Sequence, residues 1–533
     1  PTPHPAALTH ATPRTPPGAG FPFSPNPTHA RHGPTMTFNL LHDPWVPTRP
    51  TAGTAATPVE TSLLDVFQHG ATLDLAEYEL FLPALTRQAL VPIVMDAAGT
   101  PTNPDEWLDL WEQRHTLYPK IKEYLLEHEE WFTVGTGRPY GAWLVQNIER
   151  PAEPFGIEKI LAGAPSGNNV PIATWGITGD YALTIPEALR ATLIELCWGT
   201  SGRKNSVPGA RGTHPGSVGV CGRALHVMPT GKSLLDTIFL NVPLIPDGLS
   251  DDDLPPWKRD LSIAGEVREP HGIMELLTWQ PRRISLYTNP AGQVTHCTVA
   301  PGDGSTGASH TDPHVAWTTN AKGEPTTRKP STQQPTWLGL PALLTPGGAS
   351  ETGGAPPQLE TLAMGLAEED PTYPLRLHVS GAIYGEQRAT YAHITADTIP
   401  TTISLLRANS TTRPILDHAI TTTHHARDIL GRFAYKVGGI RGATNVPNFA
   451  NQARTHLDAT LTPHLHHLLL NLDNPQEVAA WTERVTTAAE DILAELSEPI
   501  PTQTSLRRGL PQAEITAMRQ LRALEQMPEG PAH

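Results

Sequence analysis

PILDHAITTTHHARDILGRFAYKVG, residues 414–438, is an amphipathic segment that begins at a proline and ends at a glycine. This pattern predicts one long helix. Three similar segments follow it, at about residues 448–472, 475–496 and 511–527. Four amphipathic helices joined by short connections predict a four-helix bundle, which we expect to occupy residues 401–533.

The part of the chain before this bundle, residues 36–400, has a more irregular pattern. A chain of 533 residues exceeds what one core usually holds, so we expect more than one domain. Residues 61–67 predict a capped helical turn, and residues 186–198 predict a longer helix. We expect one or two helices in residues 73–95, and short strands joined by long loops in residues 289–354. The predicted fold class is therefore α+β, with an irregular mixed α/β amino-terminal domain followed by a carboxy-terminal four-helix bundle.

The first 35 residues differ from the rest of the chain. Ten of them are proline, and Leu8 is their only leucine, isoleucine or valine. Without an apolar stretch this leader is not a signal peptide, and its composition predicts disorder. Met36 is followed at once by the apolar segment FNLL (38–41), so we expect Met36 to be the true start of the protein. A genuine disordered tail is the alternative.

The composition argues against several classes of protein and of site. The three cysteines, Cys197, Cys221 and Cys297, include no CxxC pair, which argues against a cysteine-based zinc site and favours a reducing, cytoplasmic compartment. No apolar run is long enough to span a membrane. Neither a GxSxG nucleophile elbow nor a GxxxxGK[ST] phosphate loop occurs, so we predict no enzyme, no cofactor and no metal. We expect the histidines of residues 464–467 to face solvent, and the acidic run 251–253 to be a solvated loop.

One segment of this acidic chain, whose formal charge is −15, is basic. Residues 196–235 contain no aspartate or glutamate, but they hold eight glycines and five basic residues. The basic residues are Arg203, Lys204, Arg211, Arg223 and Lys232. Glycine lets the backbone approach a ligand closely and basic side chains provide positive potential, so we expect this segment to contact an anion. Its part VPGARGTHPGS (207–217) is thin enough to enter a DNA minor groove, and an ordinary surface loop is the alternative.

Several further segments occur in a fixed order along residues 36–527. They are FNLLHDPWVPTR (38–49), IEKILAGAPSGNNVPIATW (157–175), the glycine-rich segment, SLLDTIFLNV (233–242), DLPPWKRD (253–260) and LLTWQPRRISLY (276–287). Together with the four-helix region, this set resembles the CasA family, the large subunits of the type I-E CRISPR Cascade complex.

The resemblance implies a function in antiviral defence. A CasA subunit belongs to a guide-RNA-loaded complex, reads the protospacer-adjacent motif (PAM) of double-stranded DNA, and helps to start strand separation and R-loop formation. The implied partners are the target DNA, the 5′ handle of the CRISPR RNA, the backbone and small subunits of Cascade, and the helicase-nuclease effector.

The resemblance also implies three sites. The loop that contacts the guide handle and neighbouring subunits corresponds to Asn168, Asn169, Ile172, Ala173 and Thr174. The loop that enters the minor groove corresponds to Gly209, Ala210, Arg211 and Gly212. The wedge that enters the duplex beside the PAM corresponds to a hairpin in HVSGAIYGEQRATYAHI (378–394), with Gln387 at its tip beside Gly385, Glu386 and Arg388.

Two positions depart from the family's pattern. Glu386 stands where relatives carry asparagine, and residues 298–306 lack the lysine that reaches the PAM groove in relatives. We consider Arg282, Arg283 and Lys322 as its replacements. The alternative function is that of a structural subunit, which docks the guide handle without reading DNA. Long loops predicted near residues 396–414 further imply that the bundle pivots when DNA is loaded.

Overall fold

A computed structural model describes residues 37–52, 57–135, 142–148, 150–162, 164, 181–202, 204–205, 218–222, 224–259, 261, 266–305, 311–345, 353–385, 388–407, 409–498 and 510–525. The proline-rich leader lies outside these ranges, so its disorder and the start at Met36 stay predictions. Within them, no helix combines the length and the apolar character that crossing a membrane requires.

All strands of the described residues precede residue 403, and they form small sheets. They are β1 (Phe38–Asn39), β2 (Val46–Pro50), β3 (Val59–Thr61), β4 (Leu73–Leu75), β5 (Thr133–Val134), β6 (Phe155–Gly156), β7 (His226–Thr230), β8 (Val267–Arg268), β9 (Arg282–Thr288), β10 (Val294–Pro301), β11 (Gly304–Ser305), β12 (Trp317–Thr319), β13 (Pro325–Thr327), β14 (Gly353–Gly354), β15 (Pro374–Tyr384) and β16 (Tyr391–Thr402). Two three-stranded antiparallel sheets, with the orders β16-β15-β7 and β6-β10-β9, support the candidate site. The strands after residue 289 confirm the short strands predicted there.

Helices occur along the whole described chain, and they lengthen towards its end. They are α1 (Leu63–His69), α2 (Phe81–Leu85), α3 (Val91–Ala98), α4 (Pro104–Gln113), α5 (Tyr118–Glu127), α6 (Glu129–Phe132), α7 (Ile185–Trp198), α8 (Leu234–Leu240), α9 (Ile273–Leu277), α10 (Leu340–Leu344), α11 (Pro357–Glu369), α12 (Arg413–Arg441), α13 (Val446–Leu469), α14 (Pro475–Ser497) and α15 (Leu510–Leu524).

Helices α12 to α15 form the predicted four-helix bundle, in which α12 contacts the other three. Their ends agree with the predicted ends to within three residues. Gly442 ends α12 in the left-handed conformation that glycine adopts most easily (φ 70°). The side chains of Asn445 and Asn474 accept hydrogen bonds from the first turns of α13 and α14. An α+β fold with a carboxy-terminal helical bundle is thus confirmed.

Two local predictions in residues 36–260 were wrong, because contacts with distant residues decide these segments. Residues 73–75 were expected to be helical, but they form β4, whose backbone pairs with β2. Asp253 was expected to lie in a solvated loop, but its side chain is only 3% exposed. Its carboxylate accepts the amide hydrogens of Met274 and Glu275 and so caps the amino terminus of α9.

A π-helical turn, Thr86–Leu90, lies between α2 and α3 without interrupting the helix. It turns three polar side chains, Thr86, Arg87 and Gln88, into the core, where each is fully buried. Arg87 Nη1 donates to Asp312 Oδ1 at 2.6 Å, and Gln88 Nε2 donates to the carbonyls of Leu277 and Trp279. Through these hydrogen bonds, the π turn connects helices α2 and α3 to residues 277–279 and to Asp312.

Trp337 lies at the junction between the bundle and the rest of the molecule. Its indole N–H donates to Thr462 Oγ1 of α13 at 3.0 Å, and its ring meets the ring of Trp481 edge-on. Arg413, at the start of α12, donates to the carbonyls of Pro341 and Leu344. Most of the region near 396–414 is strand β16 and a 3₁₀ turn rather than long loops, which removes the reason to expect a pivoting bundle.

Candidate nucleic-acid interface

The glycine-rich loop leaves and re-enters the fold at one place, the carboxyl end of α7. Two backbone hydrogen bonds close this stem: Gly219 N–H donates to Gly199 O at 2.8 Å, and Cys221 N–H donates to Cys197 O at 2.7 Å. A Cβ atom on Gly219 would lie 2.3 Å from the carbonyl of Cys197, so the close approach requires glycine. The two arms of the stem are residues 199–205, of which 203 lies outside the described residues, and residues 218–222. Their described residues form a fixed base for the loop between them.

The tip of the β15–β16 hairpin contacts this stem. Ser201 N–H donates to Arg388 O at 2.8 Å. The hydroxyls of Tyr384 and Tyr391, which flank the tip on opposite strands, both donate to Trp198 O, at 2.5 and 2.9 Å. The structure thus joins the bases of two elements that the family resemblance assigned separately to the minor-groove loop and the wedge.

The hairpin predicted around Gln387 is confirmed, and its turn is tight. Gly385 N–H donates to Thr390 O at 2.9 Å, and Arg388 N–H donates to Gly385 O at 3.0 Å. Arg388 is exposed and has a positive φ of 56°, a conformation that costs about 1 kcal/mol for a residue with a Cβ atom. A residue held in this conformation at a turn is a candidate for a functional contact.

The buried side chain of Arg282 contacts the stem through hydrogen bonds and an ion pair. Its side chain is 1% exposed, its Nε lies 2.7 Å from Glu195 Oε1, and its Nη2 donates to the carbonyls of Gly199 and Thr200 at 2.9 and 2.7 Å. Because these groups use the guanidinium inside the protein, Arg282 is not available to replace the lysine that enters the PAM groove in relatives.

The other two candidates for that replacement differ from each other. Arg283 Nε donates to Gln146 Oε1 at 2.6 Å, so this side chain is already engaged. Lys322 is exposed in the turn between β12 and β13. Of the three candidates, Lys322 has the side chain most accessible to a ligand.

Asn205 fixes the outgoing arm of the stem to strand β10. Its N–H donates to Val299 O at 2.7 Å, and its Oδ1 accepts the Val299 N–H at 3.0 Å. Its Nδ2 also donates to Glu153 O at 3.3 Å. Asn205 therefore pairs with Val299 of β10 much as a strand residue would. This pairing fixes the end of the arm where the glycine-rich loop begins.

Positive charge exceeds negative charge around the stem. Burial raises the pKa of Glu195, and the opposite charges of Arg282, Lys159 and Lys204 counteract part of that rise. Burial and the neighbouring Arg282 lower the pKa of Lys204 to about 8. The ammonium group of Lys204 has no hydrogen-bond partner among the described residues. Because Arg282 already neutralises Glu195, Lys159 and Lys204 are the neighbouring cations whose charge favours an approaching phosphate.

Most of the site residues named from the sequence lie outside the described residues. These are Asn168, Asn169, Ile172, Ala173 and Thr174 of the guide-handle loop, Gly209, Ala210, Arg211 and Gly212 of the minor-groove loop, and Glu386 and Gln387 of the wedge. Gly385 and Arg388 are described, and they lie at the hairpin turn beside the stem. In the described ranges no group of histidine, cysteine, aspartate and glutamate is arranged to hold a metal ion.

Sequence reasoning missed the residues that join the two elements, Tyr384, Tyr391 and Glu195. The tyrosines carried one signal, since they flank GEQRAT at matching positions on the two strands. Glu195 lies one helical turn before Gly199, but nothing in the sequence links it to Arg282. Tyr384 and Tyr391 hold the hairpin turn against the stem, and Glu195 holds Arg282 beneath it.

Comparisons with known proteins agree with this architecture. A sequence profile of the family "CRISPR-associated protein Cse1" matches residues 39–492. A CRISPR-associated protein CasA/Cse1 from Thermus thermophilus is 26% identical over 326 residues, a match that covers 58% of this chain and 61% of the relative. The chain therefore matches less than two thirds of that relative's length.

Solved structures share the fold. The crystal structure of Thermobifida fusca Cse1 has a TM-score of 0.78 and 24% identity, and the match covers 92% of this chain and 98% of the other. A chain from a structure described as a CRISPR RNA-guided surveillance complex has a TM-score of 0.69 and 19% identity, with 92% and 99% of the two chains covered. The profile match extends over more than half of the chain and confirms the resemblance to CasA of type I-E Cascade. The chain belongs to the Cse1 (CasA) family of CRISPR-associated proteins.

Proposed function

We propose that this protein is the large subunit of a CRISPR RNA-guided surveillance complex and that it recognises the PAM in double-stranded DNA. Residues 209–212 would enter the minor groove, and the hairpin tip 385–388 would act as the wedge that starts strand separation and R-loop formation. One observation carries the proposal: the stem of the glycine-rich loop and the hairpin turn are joined through Ser201, Trp198 and the two tyrosines.

This junction supports a function in which the loop that recognises the PAM is held at a fixed distance from the hairpin that opens the duplex. A loop that recognises a short motif and a wedge that opens the neighbouring base pair must be held at a fixed separation, because the motif and the first opened pair are adjacent. The buried hydrogen bonds to Trp198 O provide such a link. The glutamine at the hairpin turn, Gln387, would displace a base pair and hydrogen-bond to the base that it exposes.

The charge around the stem supports the same function. DNA binding by one limited patch requires local positive charge in an otherwise acidic protein, and Lys159 and Lys204 supply it beside Glu195, whose charge is already neutralised by Arg282. Glu386 would be repelled by phosphate, so the turn has to approach the base edges rather than the backbone. We expect weak, salt-sensitive duplex binding by the isolated protein and strong binding only within the assembly.

The proposed partners follow from family membership. They are the target duplex, the 5′ handle of the CRISPR RNA, the backbone and small subunits of Cascade, and the helicase-nuclease effector. We assign the guide handle and the neighbouring subunits to Asn168, Asn169, Ile172, Ala173 and Thr174. The protein would act without catalysing a reaction itself, because the guide supplies sequence recognition beyond the PAM.

Target-duplex binding by the assembled complex tests the proposal. Gly209→Asp places a charged side chain in the groove-entering loop, and Gln387→Ala removes the wedge side chain. Both variants should still assemble, and each should lose about tenfold or more of the preference for a matched over a scrambled PAM.

Matched controls are available at exposed positions. Gly439→Asp adds the same side chain to α12 where nothing lies within 4 Å, and Gln113→Ala truncates an exposed glutamine at the end of α4. Both controls should bind like the wild type. If Gly209→Asp and Gln387→Ala keep full PAM preference while changes in residues 168–174 abolish assembly, the protein is a structural subunit that does not read DNA.

A further inference from the structure

Two of the three cysteines form a pair at the base of the glycine-rich loop. Cys197 is the penultimate residue of α7, and Cys221 lies where the chain returns from the loop. Their backbones are joined by the hydrogen bond from Cys221 N–H to Cys197 O (2.7 Å), and their thiols, which are fully buried, interact with each other. A backbone hydrogen bond between two residues keeps their Cα atoms roughly within the 4.4–6.8 Å that a disulfide spans.

The surroundings of the pair differ from those of an inert buried cysteine. Arg87 is fully buried beside both sulfurs, and its Nε and Nη2 have no hydrogen-bond partner among the described residues. His226, on β7, lies next to Cys221, with its Nε2 3.2 Å from Cys221 O. Burial alone would raise the pKa of the Cys221 thiol, but the interaction with Cys197 and the neighbouring side chains of His226 and Arg87 lower it well below its usual value. For Cys197, by contrast, burial and the interaction with Cys221 raise the pKa of the thiol.

We propose that Cys197 and Cys221 are a redox-active pair that forms a reversible disulfide and locks the stem of the glycine-rich loop. The stem is already closed by the backbone hydrogen bonds of Gly219 and Cys221, so the disulfide needs little movement of the main chain. It would link two positions 24 residues apart, which enclose residues 209–212.

A water-sized oxidant, hydrogen peroxide, suits this enclosed position. The Cys221 thiolate attacks one peroxide oxygen and becomes a sulfenic acid, and the released hydroxide takes up a proton to form water. The Cys197 sulfur then attacks the Cys221 sulfur, and the sulfenic oxygen leaves with the Cys197 proton as a second water. In total, two thiols and one hydrogen peroxide give one disulfide and two waters. A thiol reductant reverses the step by thiol–disulfide exchange.

The consequence for DNA recognition rests on the function proposed above. A disulfide at the stem restricts the two arms, residues 199–205 and 218–222, whatever the loop between them does. Opening of the stem would become rarer, so the two arms would be held in one position relative to the hairpin turn. Oxidising conditions in the cell would then make the stem more rigid. This stem carries residues 209–212, which we assign to the minor groove.

Mass spectrometry of the full-length protein tests the pair. The protein is treated with hydrogen peroxide, denatured and alkylated with iodoacetamide, with and without prior reduction by dithiothreitol. We expect a linked peptide pair that contains Cys197 and Cys221 and has lost two hydrogens, and we expect dithiothreitol to restore both alkylation sites. Cys297 is the matched control, because it is equally buried, its thiol donates to Gly156 O, and burial raises its pKa. It should remain open to alkylation after peroxide treatment.

Amide hydrogen exchange measures the effect on the stem. Exchange of the amides in residues 199–205 and 218–222 should slow by about tenfold or more on oxidation, and this change should be absent in Cys197→Ala. The proposal is wrong if peroxide gives no Cys197–Cys221 link in the wild-type protein. It is also wrong if peroxide oxidises Cys297 as fast as Cys197 and Cys221. Both outcomes are read from the wild-type protein, so they do not depend on the folding of a variant. The PAM-binding test is done in reducing buffer with the cysteines intact, so the two proposals can fail separately.

Discussion

Arg282 shows that a basic residue beside the proposed nucleic-acid interface need not face solvent. Its guanidinium is paired with Glu195 and donates to two carbonyls of the loop stem, and its side chain is 1% exposed. A buried ion pair is strongly destabilised when one partner is removed, because the remaining charge stays buried without compensation. The role of Arg282 is therefore to keep the stem closed rather than to contact phosphate.

Replacing Arg282 should destabilise the protein. For Arg282→Ala we expect the free energy of unfolding to fall by about 3–5 kcal/mol, because Glu195 and the carbonyls of Gly199 and Thr200 lose their partner. Urea denaturation of the full chain measures this change. Arg283→Ala, at the next position of the same strand, is the control and should cost less, since that side chain is only half-buried. Equal losses for the two variants would contradict the role assigned to Arg282.

At the scale of elements, the hairpin and the loop stem act as one unit because two hydroxyls share one acceptor. Tyr384 and Tyr391 lie on neighbouring strands, and both donate to Trp198 O. A carbonyl oxygen has two lone pairs and can accept both bonds. When one hydroxyl is removed, the other still satisfies the carbonyl, but removing both leaves a buried acceptor unpaired.

A double-mutant cycle on the tyrosines tests this arrangement. Tyr384→Phe and Tyr391→Phe should each lower the free energy of unfolding by about 1 kcal/mol, and the double variant should lose more than the sum of the two. PAM preference of the assembled complex should fall in the double variant while assembly is retained. Tyr435→Phe, at an exposed position on α12, is the control for loss of a hydroxyl. Strict additivity would show that the two hydroxyls do not share the carbonyl.

The whole molecule is held together by buried ionic groups as well as by its apolar core. Glu275 is bound by Arg259 and Arg268, and it also accepts the His271 N–H at 2.8 Å. Burial alone would raise the pKa of Glu275, but the hydrogen bond from Arg268 and the charge of Arg259 lower it to about 2. Asp312, paired with buried Arg87, has its pKa lowered to about 2 by the same balance of causes.

Acid should therefore destabilise the protein in a defined range. A carboxyl whose pKa is lower in the folded state adds stability that is fully present above the pKa of the unfolded chain and is lost as the pH falls through the folded value. Between about pH 4.5 and pH 2, Glu275 alone should account for a loss of about 3 kcal/mol in the free energy of unfolding. Urea denaturation at a series of pH values should show this slope in the wild type and a flatter one in Glu275→Gln.

The control for this series is Glu112→Gln, at an exposed position on α4. Its free energy of unfolding at pH 7 should stay within about 0.5 kcal/mol of the wild type, whereas Glu275→Gln should lose several times as much. An unchanged slope in Glu275→Gln would mean that other carboxyls dominate the acid response.

The sequence predicted those parts of the fold that depend on local pattern. The bundle helices were found because each is long, amphipathic and bounded by proline or glycine, and the β15–β16 hairpin was found around its turn. It did not predict β4 or the cap that Asp253 provides, because each depends on a partner elsewhere in the chain. The same reason explains the missed junction at the candidate site, where Trp198 and Tyr384 are 186 residues apart.

The π turn at Thr86–Leu90 has a consequence for how this chain can evolve. A π turn holds one residue more than an α-helical turn, so deleting a single residue would leave a continuous helix but rotate one half against the other by about 100°. This single deletion would separate Arg87 from Asp312, 225 residues downstream, and Gln88 from the carbonyls of Leu277 and Trp279, about 190 residues downstream. Related genes should therefore show substitutions along residues 81–98 but keep the length of this segment constant, as if its codon number were itself under selection.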